Sequence, residues 1–234
     1  MSSLTGAVVL VTGANGGIGS AFVAEALARG AVKVYATART PRDWGDDRIV
    51  PLALDITDPA SIAAAVEAAP DVTVLINNAG TLPPTWSLLD ISADALRATM
   101  ETNFIAPVML AAAFAPVLTS RPESVLIDMH SVASWYAFGG AYSASKAALW
   151  SATNSLRLEL APRGTHVVGV HVGYVDTPMA AHDNGPKMLP ADLVIHVFDT
   201  VEAGGYEVIA DEVTTSIKAG LSAPVEALYP ELKA

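Results

Sequence analysis

The sequence predicts an α/β fold in which a doubly wound, seven-stranded parallel sheet forms a single domain over residues 1–234. Short apolar runs alternate with alanine-rich segments of helical length, which is the pattern of repeated βα units. The chain has 234 residues, of which 52% are hydrophobic, so it can bury one large core. A glycine-rich turn follows the first apolar run, as is common in such folds.

The predicted strands and helices alternate along the whole chain. In a sheet of this kind ligands bind at the carboxyl ends of the strands, so we expect candidate sites just after them. The seven predicted strands cover residues 7–11, 32–37, 49–54, 72–76, 124–129, 166–172 and 206–210. The predicted helices cover residues 17–29, 59–68, 93–118 (with Pro107 as a candidate break), 141–160 and 191–202.

The composition argues against several kinds of partner. A net charge of −11, with no localised basic patch, disfavours nucleic acid and anionic membranes. The chain has no cysteine, so disulfides and cysteine-ligated metals are excluded, and we expect no metal site and a reducing, cytoplasmic location. Residues 1–6 lack the basic segment of a signal peptide, and the longest apolar run, 104–118, is shorter than a membrane span.

The glycine-rich turn after the first strand predicts a dinucleotide site. Gly13 would form the tight turn, Gly17 would let the backbone approach a pyrophosphate, and Gly19 would permit close packing. The N-terminus of the following helix would offer free N–H groups to the anion. The same turn supplies the other predicted cofactor contacts, Asn15, Gly16 and Ile18.

The end of the second strand predicts which dinucleotide binds. An acidic residue there would hold a ribose 2′-hydroxyl, but this sequence has none, and Arg39 follows the strand. Because a guanidinium pairs with a 2′-phosphate, we favour NADP(H) over NAD(H). The alternative for Arg39 is an ordinary solvated charge, and Arg42 is a second candidate for the same role.

Two further strand ends are candidates for adenosine contacts. Asp55, with Ile56 beside it, would bond an adenine amino group. Alternatively, it caps the following segment, where Thr57 or Asp58 could cap a helix that starts with proline. Asn78, Ala79 and Gly80 end the fourth strand with small residues that would let adenosine approach the backbone. Alternatively, the asparagines at positions 77 and 78 only tie neighbouring strands together.

Tyr142 and Lys146 are the strongest candidates for chemistry. Four residues apart on a helix, they lie on one face. A free tyrosine has a pKa near 10. A cation about 4 Å away contributes roughly 4 kcal/mol at an effective dielectric of about 20, enough to bring the phenol pKa toward 7. The prediction is therefore a tyrosine that exchanges protons near neutral pH.

The order and separation of the segments at 12–19, 77–80 and 142–146 resemble the compact, single-domain type of short-chain dehydrogenase/reductase, a superfamily with a Rossmann fold. The resemblance covers residues 5–210. It implies a catalytic tetrad of Asn103, Ser131, Tyr142 and Lys146, in which Asn103 holds a water, Ser131 holds the substrate carbonyl and Lys146 binds the nicotinamide ribose. Asn103 would otherwise be a buried amide bonded to backbone, and Ser134 is the alternative to Ser131. The resemblance also implies cofactor contacts by Gly173, Val175 and Thr177, in addition to Tyr142 and Lys146.

Three positions depart from the pattern of that superfamily. Val172 stands where a proline is usual, Asp128 where an asparagine is common, and His130 where a small residue is usual. The histidine either perturbs the pH response of Ser131 or simply packs nearby. None of the three departures removes a member of the tetrad.

The residues expected to face the substrate are largely apolar. They favour a hydrophobic ketone, aldehyde or secondary alcohol over a charged substrate, although some of them would instead belong to the core or to subunit contacts. They are Ser131, Trp135, Tyr136, Tyr174, Met179 and Met188, with Phe138, Leu82 and Trp86 as further candidates.

These features together predict an NADP(H)-preferring oxidoreductase, such as a carbonyl reductase or alcohol dehydrogenase. The alternative is a catalytically silent sensor or scaffold protein that keeps the cofactor-binding fold. The resemblance further implies a homodimer or homotetramer formed through residues 104–118 and the helix that carries Tyr142.

Overall fold

The computed structural model describes residues 3–233 and contains the predicted seven-stranded parallel sheet. Its strand order, β3-β2-β1-β4-β5-β6-β7, reverses direction between β1 and β4, which confirms the doubly wound fold. The strands are β1 (Val8–Thr12), β2 (Lys33–Ala38), β3 (Ile49–Ala53), β4 (Val74–Asn77), β5 (Val125–Met129), β6 (His166–His171) and β7 (Glu207–Ile209).

The helices cover both faces of this sheet. They are α1 (Gly17–Ala28), α2 (Pro59–Ala68), α3 (Ala93–Met100), α4 (Ala106–Thr119), α5 (Ala141–Leu160), α6 (Pro190–Glu202), α7 (Glu212–Gly220) and α8 (Val225–Leu228). The predicted helices are present within one or two residues at most ends. The last two helices were not predicted.

Alternate residues of β1 show how the core divides. Val9 and Val11 belong to a cluster that includes Phe22 of α1 and Phe198 of α6, whose rings meet edge to face at 5.5 Å. Leu10 faces the opposite cluster, on the side of α2 and α4. Because side chains alternate along a strand, a strand with both faces covered is expected to be mostly apolar, as Val8 to Val11 of the fully buried β1 are.

A π-helical turn, Glu101–Ile105, joins α3 to α4 into one long helix. Pro107 lies in the first turn of α4, where its missing N–H is tolerated, so it does not break the helix. The continuous helix, Ala93–Thr119, has 27 residues and a window of mean hydropathy 1.6, 39% buried. The continuous helix is thus longer than the apolar run 104–118. By length and composition it could cross a membrane, but buried core helices of soluble proteins meet the same criterion.

Candidate functional site

One cavity of about 1780 Å³ extends along the carboxyl ends of the strands. Its lining includes segments that follow β1 through β6, as expected from the strand order. The glycine-rich turn lines this cavity, and so do Ser131, Tyr142 and Lys146. The structure thus brings most of the predicted site residues together in one continuous space.

The start of α1 is built to accept an anion. Gly16 caps the helix without a side-chain hydrogen bond, and the first turn carries no acidic residue, so its N–H groups are available. Gly13 has a φ of +65°. A Cβ atom on Gly19 would lie only 2.2 Å from the carbonyl oxygen of Gly13. These features fit the pyrophosphate of a dinucleotide.

The two arginine candidates lie in different surroundings. Arg39 lines the cavity directly after β2, beside Thr40, whose carbonyl accepts a 2.9 Å hydrogen bond from Asn15. The guanidinium of Arg42 instead lies over the ring of Trp44, 4.0 Å from its centroid. Arg42 is not among the cavity-lining residues. Arg39 is therefore the better placed of the two to meet a ribose phosphate.

Asp55 lines the cavity and also organises its own loop. One carboxylate oxygen accepts bonds from the N–H and hydroxyl of Thr57, at 2.9 and 2.7 Å, and these bonds lower the pKa of Asp55. Asp58 caps α2. The capping alternative is therefore part of the structure, and the carboxylate still borders the cavity, as does Ile56.

The two asparagines at the end of β4, its last residue Asn77 and the next residue Asn78, hold strands together. The side-chain amide of Asn78 donates to the carbonyl of Thr12 at 2.8 Å. The amide of Asn77 donates to the buried Asp128 at 2.8 Å, while Thr153 donates to the other oxygen of that carboxylate at 2.7 Å. Both side chains thus fix the strand ends, while Asn78, Ala79 and Gly80 also line the cavity.

Asn103 lies in the π-helical turn, buried behind the cavity wall. Its side chain pairs with the backbone of Thr81, accepting from N at 2.8 Å and donating to O at 2.9 Å. It also donates to the Ser145 hydroxyl at 3.1 Å. A Cβ on Gly80 would lie 3.3 Å from Asn103 Oδ1 and 3.9 Å from Lys146 Nζ, so both side chains border the same glycine.

Ser131, Tyr142 and Lys146 line the same cavity as the glycine-rich turn. Ser131 follows β5, and its hydroxyl accepts from Ala133 N–H at 3.2 Å. Tyr142 lies in the first turn of α5, and its phenol oxygen accepts a hydrogen bond from the Ser131 hydroxyl. The Nζ atom of Lys146 lies 5.8 Å from the centroid of the Tyr142 ring.

The expected effect of Lys146 on Tyr142 is not present in this structure. Burial raises the pKa of Tyr142 above its ordinary value, although the hydrogen bond from Ser131 opposes the rise. Lys146 directs its ammonium to the carbonyl of Met129 at 2.7 Å. The helical spacing predicted a shared face but could not predict this non-local acceptor.

The substrate side of the cavity differs from the prediction at Trp135. This side chain is 7% exposed and stacks on His171 with a centroid distance of 3.8 Å, so it belongs to the interior. The short turn Val132–Ser134 carries the chain inward at this point. The other predicted apolar residues line the cavity, namely Tyr136, Tyr174, Met179 and Met188, together with Phe138, Leu82 and Trp86.

The loop after β6 closes the cavity from the side of α7. Gly173, Val175 and Thr177 all line the cavity. The N–H of Gly173 donates to Asp211 at 2.6 Å. Asp211 also caps α7 through Thr214 N–H, and the sequence carried this signal as an aspartate followed by an acidic residue, Glu212, in the first turn.

Two other features of the site were not predicted. His182 lines the cavity, with its ring 5.6 Å from that of Trp86. Tyr229, far along the chain, stacks on Tyr136 at 5.0 Å and accepts a 2.9 Å hydrogen bond from Ala137 N–H.

His130 is one of the three positions at which the sequence departs from the superfamily pattern. Its side chain is buried, and burial lowers its pKa well below the ordinary value, so it packs as an uncharged ring.

Comparison with known proteins gives consistent matches. The model of the family described as short chain dehydrogenase matches residues 7–187. An NADP-dependent 3-hydroxy acid dehydrogenase of Schizosaccharomyces pombe is 30% identical over 193 residues, which are 76% of this chain and 74% of that protein. A 3-oxoacyl-[acyl-carrier-protein] reductase of Vibrio cholerae is 33% identical over 189 residues, 76% of this chain and 77% of that protein. The chain spans between 62% and 77% of the lengths of the curated relatives compared with it.

The likeness extends to solved structures. The crystal structure of a short chain dehydrogenase from Burkholderia cenocepacia in complex with NADP superposes with a TM-score of 0.91, at 35% identity and with 99% of each chain covered. An NADPH-bound carbonyl reductase from chicken fatty liver superposes with a TM-score of 0.78, at 27% identity over 86% of this chain and 92% of that one. The family match, the fold and the order of the motifs agree, and the chain belongs to the short-chain dehydrogenase/reductase superfamily.

Proposed function

We propose that the protein is an NADP(H)-dependent oxidoreductase that interconverts a hydrophobic ketone or aldehyde and its alcohol. One observation carries the proposal: a single cavity joins the anion-accepting start of α1 to the cluster of Ser131, Tyr142 and Lys146. A cofactor bound along this space would place its phosphates at the glycines and its redox end at the tyrosine. Hydride transfer is the chemistry that such a cofactor supplies when bound.

The choice of NADP(H) rests on Arg39 and on the absence of an acidic residue at the end of β2. A guanidinium in this place would pair with the 2′-phosphate that distinguishes NADP(H) from NAD(H). The NADP complex of the Burkholderia cenocepacia protein and the NADP-dependent enzyme of Schizosaccharomyces pombe support the same choice.

Three side chains are proposed to handle the substrate oxygen. Tyr142 would donate its proton to the developing alkoxide, and Ser131, which already bonds the phenol, would hold that oxygen. Lys146, which lies beside Gly80 at the cavity wall, would bind the nicotinamide ribose. Its ammonium would also stabilise the phenolate left after proton transfer.

The proposed substrate is hydrophobic because of the side chains that line this end of the cavity. Tyr136, Phe138, Tyr174 and Met179 are all apolar or aromatic. A carboxylate or phosphate substrate needs a basic clamp. Lys187 is the one cation among the cavity-lining residues from Tyr174 to Asp192.

We also propose a cytoplasmic homodimer or homotetramer. Its proposed interfaces are the outer faces of α4 and α5, where Met109 is 53% and Leu158 is 79% exposed. Light scattering at micromolar concentration tests this proposal, and a monomer would contradict it.

The test of the function is the initial rate of nicotinamide absorbance loss with NADPH and with NADH, against aliphatic and aryl ketones and aldehydes. We expect turnover with NADPH that is lost in Tyr142→Phe, while that variant still binds the cofactor. Tight cofactor binding without turnover across the panel would favour the silent sensor or scaffold instead.

A further inference from the structure

His171 lies in the interior, directly behind the segment that carries Ser131. It is the last residue of β6, and its side chain is fully buried. Its ring stacks on that of Trp135 at 3.8 Å and on that of His130 at 4.7 Å. These contacts fix the plane of the imidazole and therefore the directions of its two nitrogens.

Both nitrogens of this ring face atoms that only accept hydrogen bonds. Nδ1 lies 3.3 Å from the carbonyl oxygen of Ser131. Nε2 lies 3.5 Å from a carboxylate oxygen of Glu207, on the neighbouring strand β7. An imidazole can satisfy both acceptors only if it is protonated on both nitrogens.

The surroundings keep the ring in its neutral form. Burial, as the largest cause, together with the positive charges of Lys218, Arg157 and Lys146 lowers the pKa of His171 to about 3, against the opposing effect of the bond to Ser131. The neighbouring ring of His130 is uncharged as well. At neutral pH, His171 therefore has one N–H for two acceptors, and its tautomer decides which acceptor is bonded.

The carboxylate of Glu207 already has a stronger partner, which pairs with the oxygen that does not face His171. Glu207 forms an ion pair with Lys218 of α7, and the Lys218 ammonium also lies 5.3 Å from the centroid of Trp135. A carboxylate paired with an ammonium competes less well for the imidazole proton. The one N–H proton of the neutral imidazole is then expected on Nδ1, where it bonds the carbonyl of Ser131.

We propose that His171 is a positioning residue, which holds the backbone of Ser131 through an Nδ1–H hydrogen bond, and that the Glu207–Lys218 ion pair selects this tautomer. The Ser131 carbonyl also accepts from Ser134 N–H at 3.0 Å, so the imidazole provides a second bond at this oxygen. We expect loss of that second bond to shift the Ser131 hydroxyl relative to the Tyr142 phenol. The inference rests on the proposed role of Ser131 in the reaction.

The first test is the tautomer itself, read by 15N NMR of the cofactor-free protein. Pyrrole-type and pyridine-type ring nitrogens differ in 15N shift, and the signal of His171 is identified by its loss in His171→Asn. We expect Nδ1–H in the wild type, and Nε2–H there would overturn the proposal. In Lys218→Met we expect a shift of population toward Nε2–H, and an unchanged ratio would overturn the role of the ion pair.

The second test uses two amides that imitate the two nitrogens. His171→Asn can place an N–H near the position of Nδ1, whereas His171→Gln places it nearer to Nε2. We expect kcat of the Gln variant to be about tenfold lower than that of the Asn variant, with equal cofactor Kd, because one hydrogen bond near the reacting group is lost. Equal kcat values would overturn the proposal.

Ser131→Ala separates this inference from the proposed function. A large loss of kcat in Ser131→Ala with equal kcat values in the two His171 variants refutes the positioning role alone. Full activity of Ser131→Ala refutes the proposed role of the serine, and the tautomer measurement then decides the His171–Ser131 contact by itself.

Discussion

Lys146 Nζ donates its 2.7 Å hydrogen bond to the carbonyl oxygen of Met129, the last residue of β5. The lysine side chain is therefore anchored to the sheet, across from the helix that carries it. Burial lowers its pKa to about 8, although the negative charge of Asp128 opposes the shift. Lys146, which is proposed to bind the nicotinamide ribose, is thus buried where the charged form of its side chain is destabilised.

This burial predicts a pH dependence of stability. Between the folded pKa of about 8 and the ordinary value of 10.5, the unfolded chain binds the proton and the folded chain does not. The free energy of unfolding should therefore rise with pH across that window, by about 3 kcal/mol from this residue. Denaturant unfolding of the wild type and of Lys146→Met, at pH 7 and at pH 10.5, isolates the effect as a difference. An unchanged difference would contradict it.

Substitutions of Arg39 and Arg42 form a matched pair that tests the preference for NADPH over NADH. Arg39→Ala should raise the KM for NADPH by about tenfold to a hundredfold and leave the KM for NADH nearly unchanged, because a charged pair with the 2′-phosphate is lost. Arg42→Ala should change neither value, since that guanidinium is stacked on Trp44. Equal effects of the two substitutions would mean that the arginines contribute only general charge.

Alanine substitutions of two glycines in the glycine-rich turn should differ in whether a second substitution restores the lost stability. A Cβ on Gly17 meets the terminal Cγ2 of Thr177 at 2.6 Å, whereas a Cβ on Gly19 meets the backbone oxygen of Gly13 at 2.2 Å. Gly17→Ala should lower the free energy of unfolding by about 1–3 kcal/mol, and adding Thr177→Ser should restore most of it. Gly19→Ala should be more damaging and should not respond to Thr177→Ser. Thermal unfolding of the four variants tests both expectations.

Tyr229 should hold the wall of the cavity in place. Tyr229→Phe removes the acceptor of the Ala137 N–H, and Tyr229→Ala also removes the stack on Tyr136. Each loss is worth about 0.5–1.5 kcal/mol. Hydrogen exchange of the Ala137 amide should quicken in both variants, and the KM for bulky carbonyl substrates should change most in the Ala variant. Tyr206→Ala, at an exposed tyrosine outside the cavity lining, serves as the control.

The sheet and most helices could be predicted because their signals are local. The run from Val8 to Val11 is apolar throughout and is followed by glycines at defined positions, so strand, turn and helix are visible in the sequence. Helices α7 and α8 were missed because they are short and largely exposed.

The parts of the site that were wrong or missing depend on non-local contacts. Trp135 is buried because β6 brings His171 beneath it, and no local pattern shows this. Lys146 bonds a carbonyl 17 positions away, and Tyr229 bonds an amide 92 positions away. Periodicity predicts which face a residue occupies, but the partner on that face comes from the packing of distant strands.

The π-helical turn Glu101–Ile105 has a consequence for how the chain tolerates change in length. A π-helical turn contains one residue more than the α-helix needs. Deleting one residue there would let α3 and α4 join as an ordinary α-helix with the faces of both halves kept, because the turn absorbs the rotation of its extra residue, about 100°. Asn103 lies within the turn, so a deletion before it would change the direction of its side chain and break its bonds to Thr81, even with its own codon untouched. The place of this side chain is thus fixed by the number of residues in the turn as much as by their kind.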